Sequence, residues 1–342
     1  MNDLDIYDVT IIGGGPAGMY AAFYAGMREM KVKVIEGKDR LGGFLQTYAD
    51  KTIWDVGGLP PMKCAKLIDW LVQQAGTFEP VVVFNQTIDT FSRLENGVIV
   101  LQAETGELHY TRSVIAAIGR GIAEVQKLDM NTAHDYERGN LHYTVQHLDY
   151  FAGKKVLISG GGNSAVDWAL ELVERACSVT VVHRQDSFRA MERSVRQMKS
   201  KAEVRTPYQI EHLYGNGERI HQVGIINITT NEVMRLDVDD VIISHGYTSH
   251  VSNLSRCGLA MEEGMIGMNQ LAETNVPGIF TAGDCASREG KVRLIAGAFN
   301  DAIVAVNSAK MYVEPAAAGM AYVSSHNELF REKNRALARD QT

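Results

Sequence analysis

The chain contains 342 residues, and its formal net charge at pH 7 is −7. This length accommodates two domains of ordinary size, and the acidic balance argues against a general nucleic-acid binder. The cysteines at positions 64, 177, 257 and 285 form no CxxC pair and no cluster with metal-ligand spacing, which disfavours a metal site or a disulfide scaffold.

Residues 9–27 carry no charged side chain, and the stretch is long enough to attract a membrane-span assignment. The glycines in it and Pro16 would interrupt a spanning helix, and no basic segment precedes it as in a signal peptide. We therefore expect a cytoplasmic protein with no membrane association.

The same stretch has the order strand, glycine loop, helix. A β-branched run over 7–12 leads into the loop, and an apolar helix is predicted over 19–27. The glycine spacing is GxGxxG, the fingerprint of a dinucleotide-binding unit, in which the helix N-terminus binds the phosphates. The loop residues are Gly13, Gly15, Pro16, Ala17 and Gly18.

A second strand, predicted over 32–35, delivers Glu36 to the end of this unit, 18 residues after Gly18. A carboxylate at this point accepts hydrogen bonds from both ribose hydroxyls of an adenosine, and it repels a 2′-phosphate. The first unit is therefore expected to bind FAD or NAD.

Two segments after Glu36 are candidates for further ligand contacts. Gly43, Phe44 and Leu45 lie in a glycine loop that would bring the backbone close to a ligand. An aromatic, glycine-rich segment follows over 48–60, and its first ring, Tyr48, either stacks on a flavin or packs as an ordinary aromatic. Spacing alone leaves both interpretations open.

The pattern then changes to short alternating strands after an amphipathic helix predicted over 62–75. With a hairpin turn at Asn96-Gly97, these strands indicate an antiparallel insertion, and the chain returns through a buried strand over 113–118. The inserted strands are predicted over 81–84, 87–94, 97–103 and 108–111.

The opening pattern occurs again in the second half of the chain. A strand predicted over 155–159 leads into a GxGxxA loop, a helix follows to about residue 175, and another strand is predicted over 178–182. The second loop contains Gly160, Gly162, Asn163, Ser164 and Ala165.

The residues at the ends of the two second strands differ in charge. The first glycines of the two fingerprints are 147 residues apart in the sequence. The same offset from Glu36 leads to His183, which therefore takes the position of Glu36 in the second unit. Arg184 follows directly, and Arg189 comes five residues later. Basic side chains here suit a ribose 2′-phosphate, so that the second unit is expected to bind NADP. The alternative is that both arginines are solvated surface residues.

The second half continues as the first does and ends in a further strand and helix. A strand over 278–282 ends at Gly283 and Asp284, ahead of a helix predicted over 292–312. Asp284 is a candidate contact for a polyol hydroxyl or, through water, a pyrophosphate; a plain Asp-containing turn is the alternative. The strands before it are predicted over 220–228, 233–238 and 240–244.

These elements indicate an α/β protein with two Rossmann-like dinucleotide-binding domains and antiparallel β insertions. The first domain is expected to be discontinuous, over 1–118 and 247–342, with a C-terminal extension over 313–342. The second domain is expected over 119–246.

The chain resembles the thioredoxin-reductase-type flavoproteins and, within them, the thioredoxin-reductase-like ferredoxin–NADP⁺ reductases. The wider likeness lies in GGGPAG, GGGNSAVDWA, HRQDSFRA and TAGD. The narrower likeness lies in AFYAGMREMKVKVIE, YADKTIWDVGGLP, NLHYTV and GKVRLIAGAFNDAIVAVNSAK, with a C-terminal SSHNELF. Together these motifs extend over nearly the whole chain.

The resemblance implies FAD on the first fingerprint, with Glu36 on its ribose and Tyr48 stacked on the isoalloxazine. Asp55 would lie near the ring, and Gly283-Asp284 along the ribityl chain. NADPH would lie on the second fingerprint. The implied 2′-phosphate contacts are His183, Arg184 and Arg189.

Two positions depart from the family pattern. A second arginine often follows the first one of the 2′-phosphate site, and here Gln185 takes its place. An aromatic or histidine of the C-terminal extension covers the other flavin face in the family, and ungapped alignment places Ser325 there. Tyr322 and His326 are the alternatives.

The absence of a CxxC pair ahead of the second fingerprint indicates how electrons leave the flavin. Residues 134–143 contain no cysteine, so that a dithiol relay is not available. The resemblance implies hydride transfer from NADPH to the flavin N5 and single-electron steps to ferredoxin or flavodoxin. No protein acid or base is required, and no catalytic residue is predicted.

Three other functions remain open from the sequence. A low-molecular-weight disulfide reductase of the same shape would carry a cysteine in the first fingerprint, where this chain has Ala17. A flavin- and NADP(H)-binding redox sensor and an NADH-dependent diaphorase are the others. The family also implies a homodimer, and an acidic ferredoxin would require a local basic surface. Candidate residues for that surface are Lys63, Lys66, Arg331, Lys333 and Arg335.

Overall fold

The computed structural model describes residues 5–120, 122–130, 132–145, 147–250, 257–320, 330–331 and 334–335, with the backbone alone at 122–124 and 247–250. The chain forms two compact units, Met1–Ile122 with Ser249–Thr342, and Ala123–Thr248. Within the described ranges, no helix combines the length and the apolar character needed to cross a lipid bilayer.

Helices and strands alternate along much of the chain. The helices are α1 (Pro16–Met27), α2 (Cys64–Ala75), α3 (Ala133–Tyr136), α4 (Asn163–Leu172), α5 (Glu192–Lys201) and α6 (Ile295–Val313). The strands are β1 (Ile6–Ile12), β2 (Val32–Ile35), β3 (Thr52–Ile53), β4 (Met62–Lys63), β5 (Val81–Val83), β6 (Ile88–Arg93), β7 (Ile99–Ala103), β8 (Leu108–Ala116), β9 (Ile122–Val125), β10 (Leu141–His142), β11 (Lys155–Ser159), β12 (Ser178–Val182), β13 (Glu203–Arg205), β14 (Tyr208–Gly215), β15 (Ile220–Asn227), β16 (Val233–Asp237), β17 (Asp240–Ile243), β18 (Tyr247–His250), β19 (Met261–Glu262), β20 (Met265–Gly267), β21 (Ile279–Thr281) and β22 (Ala286–Ser287).

A mixed sheet forms the centre of the first unit. Its strand order is β5-β2-β1-β8-β7-β6, and β21 also pairs with β8. The parallel pairs are β1–β2, β1–β8, β2–β5 and β8–β21. The antiparallel pairs are β6–β7 and β7 with the start of β8. Ala21 and Ala25 of α1 lie in one buried cluster with Ala302 and Ala305 of α6, and these small side chains let the two helices approach each other closely.

The second unit contains a parallel sheet in the order β10-β17-β11-β12-β13 and a separate antiparallel sheet, β14-β15-β16. Every residue of β17 is buried, in agreement with a strand covered on both faces. The predicted fold class, two Rossmann-like units with antiparallel insertions, is confirmed.

Four sequence-based expectations about elements are wrong in detail. β5 pairs in parallel with β2 and belongs to the main sheet of the first unit, whereas the sequence pattern placed it in the antiparallel insertion. Residues 108–111 and 113–118 were expected as separate strands, but a single strand, β8, pairs with β7 at its start and with β1 along most of its length. α1 begins at Pro16 instead of residue 19, because proline suits the first helical position. α4 ends at Leu172 rather than near residue 175.

The register of the parallel strands determines where a ligand can bind. In the first unit Ile12 lies opposite both Ile35 and Ala116, and in the second unit Ser159 lies opposite both Val182 and Ile243. The loops after three neighbouring strands therefore meet at one edge of each sheet. Ligands of open α/β sheets bind in this crevice.

Candidate functional site

The glycine loop of the first unit ends at the start of α1. Gly15 is the extended residue before the helix and Pro16 occupies its first turn. The helix start has no side-chain cap and no acidic residue in its first turn. Its N–H groups therefore point away from the helix without a competing side chain, as an anion-binding helix terminus requires.

Two glycines of this loop are required by close packing. A β-carbon on Gly18 would lie 1.8 Å from the carbonyl oxygen of Gly13, and one on Gly13 would lie 2.4 Å from the carbonyl oxygen of Ala117. At Gly15, by contrast, the nearest atom to such a carbon is the Cα of Gly43, 3.8 Å away. The loop is thus packed on its inner side and leaves space beside Gly15.

Glu36 is buried at the end of β2 and is already hydrogen-bonded to the loop. Its Oε2 accepts the N–H of Gly14 at 2.6 Å, and its Oε1 accepts the N–H of Lys38 at 2.9 Å. Each carboxylate oxygen keeps a further lone pair for a ribose hydroxyl. The carboxylate therefore fixes the glycine loop and remains able to accept hydrogen bonds from a ligand.

The segment after Glu36 returns to the same loop. The N–H of Gly42 donates to the carbonyl of Gly14 at 2.8 Å, and a β-carbon on Gly43 would lie 2.7 Å from the Cα of Gly15. A 3-10 helix over Gly43–Tyr48 follows, in place of the predicted open loop.

Aromatic and apolar side chains of this 3-10 helix pack beside the glycine loop. The rings of Phe44 and Tyr48 meet edge to face at 5.2 Å, and the Nζ of Lys51 lies 5.1 Å from the centre of the Tyr48 ring. Leu45 packs on the main buried cluster of the first unit, whereas Asp55 is exposed. Tyr48 is half-buried, so that part of its ring stays accessible.

Gly283 packs against the start of α1. It has a φ of +80°, and a β-carbon on it would lie 3.0 Å from the Cβ of Ala17. Its N–H donates to the Oδ2 of Asp301 at 3.1 Å. The neighbouring Asp284 forms an ion pair with Arg120, with Nε and Oδ2 3.6 Å apart. The structure thus brings the first fingerprint and Gly283 together.

The tail residues predicted beside the flavin, Tyr322, Ser325 and His326, lie outside the described residues. Phe330 is the described ring of the tail, and it meets Phe78 edge to face at 5.7 Å.

The second glycine loop repeats the geometry of the first. A β-carbon on Gly160 would lie 2.4 Å from the carbonyl oxygen of Ser244, and one on Gly162 would meet no atom within 4 Å. α4 begins at Asn163, whose Oδ1 accepts the N–H of Met191 at 3.2 Å. Ser164 in the same turn is half-buried, and Ala165 is fully buried against the loop.

Backbone pairing holds the arginine segment against the second loop. The N–H of Arg189 donates to the carbonyl of Gly161 at 2.8 Å, and Gly162 forms a β-bridge with Arg189. The ring of His183 covers Gly161, and its Nε2 lies 3.2 Å from the carbonyl oxygen of Ser187. Burial lowers the pKa of His183 below the ordinary histidine value.

Arg184 and Arg189 are both exposed. Throughout the described part of the chain, no carboxylate oxygen lies within 4 Å of either guanidinium group. Among the described residues, no adjacent carboxylate therefore neutralises their charges, and both groups can bind an anion.

Sequence reasoning missed His245, which lies at the same edge of the second sheet. Its Nε2 lies 2.8 Å from the Oγ of Ser159, the last residue of β11. Burial lowers the pKa of His245, and the charges of Arg184 and His183 lower it further. Its position after the closing strand was the available signal, since β17 ends beside the second fingerprint.

Two Rossmann units, each with an uncapped helix start behind a packed glycine loop, define an oxidoreductase that binds two dinucleotides. Residues 7–309 match the family model described as pyridine nucleotide-disulphide oxidoreductase, and the chain belongs to this family.

Curated relatives extend over nearly the whole chain. Ferredoxin–NADP reductase 1 of Bacillus pumilus (strain SAFR-032) is 52% identical over 336 residues, which cover 98% of this chain and 97% of the relative. Ferredoxin–NADP reductase 1 of Shouchella clausii (strain KSM-K16) is 47% identical, with 100% and 98% covered. The crystal structure of Lactococcus lactis thioredoxin reductase superimposes with a TM-score of 0.78 at 28% identity, covering 90% of this chain and 99% of that one.

Proposed function

We propose that this chain is a ferredoxin–NADP⁺ reductase, which transfers electrons between NADPH and ferredoxin or flavodoxin through FAD. The observation that carries this proposal is that the cysteines of this chain form no redox-active pair, although the family is described by its disulphide chemistry. All four are free thiols, and none has a second cysteine at CxxC spacing. Without a dithiol in the chain, electrons leave for an external one-electron carrier.

The first unit is the proposed FAD site. The open side of the loop at Gly15 receives the pyrophosphate, Glu36 accepts from the ribose, and Gly283 lets the backbone pass closely. Tyr48 presents its accessible ring to the isoalloxazine. A bound flavin supplies hydride acceptance and single-electron release. The protein contributes position and surrounding charge, so that none of its residues needs to move a proton.

The second unit is the proposed NADP(H) site. Arg184 and Arg189 bind the 2′-phosphate with charge-assisted hydrogen bonds. The backbone pairing of Arg189 with the second glycine loop supports this assignment. His183, whose ring covers Gly161, is the third proposed contact of the 2′-phosphate. The observation that supports this assignment is that both guanidinium groups are exposed and without a nearby carboxylate in the described residues.

The partner surface, the oligomeric state and the compartment are further proposals. Lys63 and Lys66 follow the segment over 48–60 that contains Tyr48, and they contribute to a basic surface for an acidic carrier. The Nζ of Lys66 lies 5.0 Å from the centre of the Trp70 ring. Arg331 and Arg335 are exposed and would extend this surface, whereas Lys333 lies outside the described residues. We also propose a cytoplasmic homodimer.

The decisive experiment is the reduction of cytochrome c with NADPH, the purified enzyme and ferredoxin, compared with the same mixture without ferredoxin. We expect the rate to depend on ferredoxin. A low rate with ferredoxin together with rapid reduction of a low-molecular-weight disulfide would overturn the proposal in favour of the disulfide reductase.

A further inference from the structure

A lysine and an aspartate form a buried ion pair beside the first glycine loop. The Nζ of Lys291 lies 2.5 Å from the Oδ2 of Asp301, and the two side chains are 3% and 4% exposed. Removal of two charges from water is costly, so that a pair this deeply buried requires compensating contacts. The same Oδ2 also accepts the N–H of Gly283 at 3.1 Å.

The lysine enters the core from an otherwise exposed loop. Its neighbours Val292 and Leu294 are 53% and 48% exposed, whereas the Lys291 side chain turns inward. Gly297 of α6 allows this arrangement, because a β-carbon there would lie 2.4 Å from the carbonyl oxygen of Val292. The loop is thus held against α6 so that the ammonium group reaches Asp301.

We propose that Lys291 and Asp301 are positioning residues, which fix Gly283 against the first glycine loop and tune the reduction potential of the flavin bound there. This inference rests on the proposed function, because it requires FAD in the first unit. Gly283 connects the pair to the loop, since it donates its N–H to Asp301 and packs on Ala17.

Because the two residues carry opposite charges, their removal is expected to shift the reduction potential of the flavin in opposite directions, which a merely structural contact would not do. Reduction adds negative charge to a flavin, and a nearby buried charge acts on it through a medium of low dielectric constant. Lys291→Met leaves the carboxylate unbalanced and is expected to lower the reduction potential. Asp301→Asn leaves the ammonium group unbalanced and is expected to raise it. The double variant is expected to return the potential close to that of the wild type.

The measurement is spectroelectrochemical titration of the FAD-loaded variants. Lys310→Met and Glu314→Gln are matched controls, because that ion pair lies at the C-terminal end of α6 and Glu314 is exposed; neither should shift the potential. An unchanged potential in Asp301→Asn, or shifts of one sign in both single variants, overturns the proposal. If Lys291→Met does not fold, Asp301→Asn is compared with the double variant, and equal potentials in those two overturn the proposal.

The positioning role has a separate readout in FAD affinity. Asp301→Asn keeps an oxygen that accepts the N–H of Gly283, whereas Asp301→Leu removes it. Because an unsatisfied buried N–H is costly, the FAD dissociation constant is expected to be about tenfold higher in Asp301→Leu than in Asp301→Asn; equal values refute this role. A wild-type chain that binds no FAD would overturn the proposed function and this inference together, whereas FAD binding without opposed shifts overturns this inference alone.

Discussion

Arg184 and Arg189 offer two exposed cationic groups at the second glycine loop, and we expect them to determine the preference for NADPH over NADH. A hydrogen bond to a charged group contributes about 1.5–3 kcal/mol, so that Arg184→Ala should lower kcat/KM for NADPH roughly ten- to a hundredfold. NADH has no 2′-phosphate, and its kcat/KM should not change. The measurement is steady-state kinetics with both nucleotides.

Arg219→Ala is the control for this prediction. Arg219 is exposed on the turn between β14 and β15, and it is distant in sequence from the second glycine loop. An equal fall in kcat/KM for NADPH and NADH in Arg184→Ala would show that this arginine supports the fold and does not bind the phosphate.

The stability of the first unit is expected to depend on pH through His109. The side chain is buried, its Nε2 lies 2.6 Å from the Oε1 of Gln86, and burial together with Lys33 lowers its pKa below the ordinary histidine value of 6.5. A histidine with a lowered folded pKa contributes stability that is present above its unfolded pKa and is lost as the pH falls below it.

The free energy of unfolding is therefore expected to fall between pH 7.5 and pH 5.5, and to fall less in His109→Asn. Urea denaturation of both proteins at the two pH values measures the difference. An equal fall in the two proteins would place the pH dependence in other groups.

At the scale of single elements, the glycines of the two loops serve different purposes, and substitution separates them. Gly18→Ala places a β-carbon 1.8 Å from a carbonyl oxygen. We expect a loss of about 1–3 kcal/mol or more in unfolding free energy, because backbone atoms must move. Gly162 is extended, and a β-carbon there meets open space. Gly162→Ala should therefore keep the stability of the wild type and weaken NADPH binding.

Thermal melting without nucleotide and calorimetric titration with NADP⁺ measure these two effects. Gly57→Ala is the neutral control, since a β-carbon there also meets no atom within 4 Å. Tight NADP⁺ binding by Gly162→Ala would refute the assignment of the phosphates to this loop.

The sequence predicted the elements that carry their own periodicity. The bounds of β2, β11 and β12 agree with the prediction, because short runs rich in β-branched residues are typical of buried parallel strands. β14 and α5 were not predicted. β14 mixes buried and exposed residues irregularly around a β-bulge, and α5 buries only Met198 among charged residues.

The candidate site was predictable to the extent that it follows from spacing. The glycines and Glu36 are set by the βαβ unit, and the structure places Glu36 on the loop. Lys291 and Asp301 could not be found in this way, because a lysine in a polar loop gives no sign of burial. Their pairing depends on how α6 packs on the sheet, which is a tertiary property.

For the whole molecule, the state of the cysteines predicts how it responds to thiol reagents. Burial raises the pKa of Cys64 to about 11 and also raises the pKa of Cys285, so that both thiols stay protonated and unreactive. Iodoacetamide applied to the NADPH-reduced enzyme should leave ferredoxin-dependent activity intact. Cys177→Ser and Cys257→Ser control for the exposed and the half-buried thiol. Inactivation that persists in the double variant would indicate a reactive thiol in catalysis.

The first unit is assembled from two distant parts of the chain. β8 precedes the second unit, whereas its neighbour β21 and the helix α6 follow it. During synthesis the ribosome therefore releases every strand of the second unit before β21 exists. The second unit can therefore fold while the first unit is incomplete and the edge of β8 that pairs with β21 is uncovered. A nascent chain that stalls before residue 279 exposes this edge to chaperones and proteases.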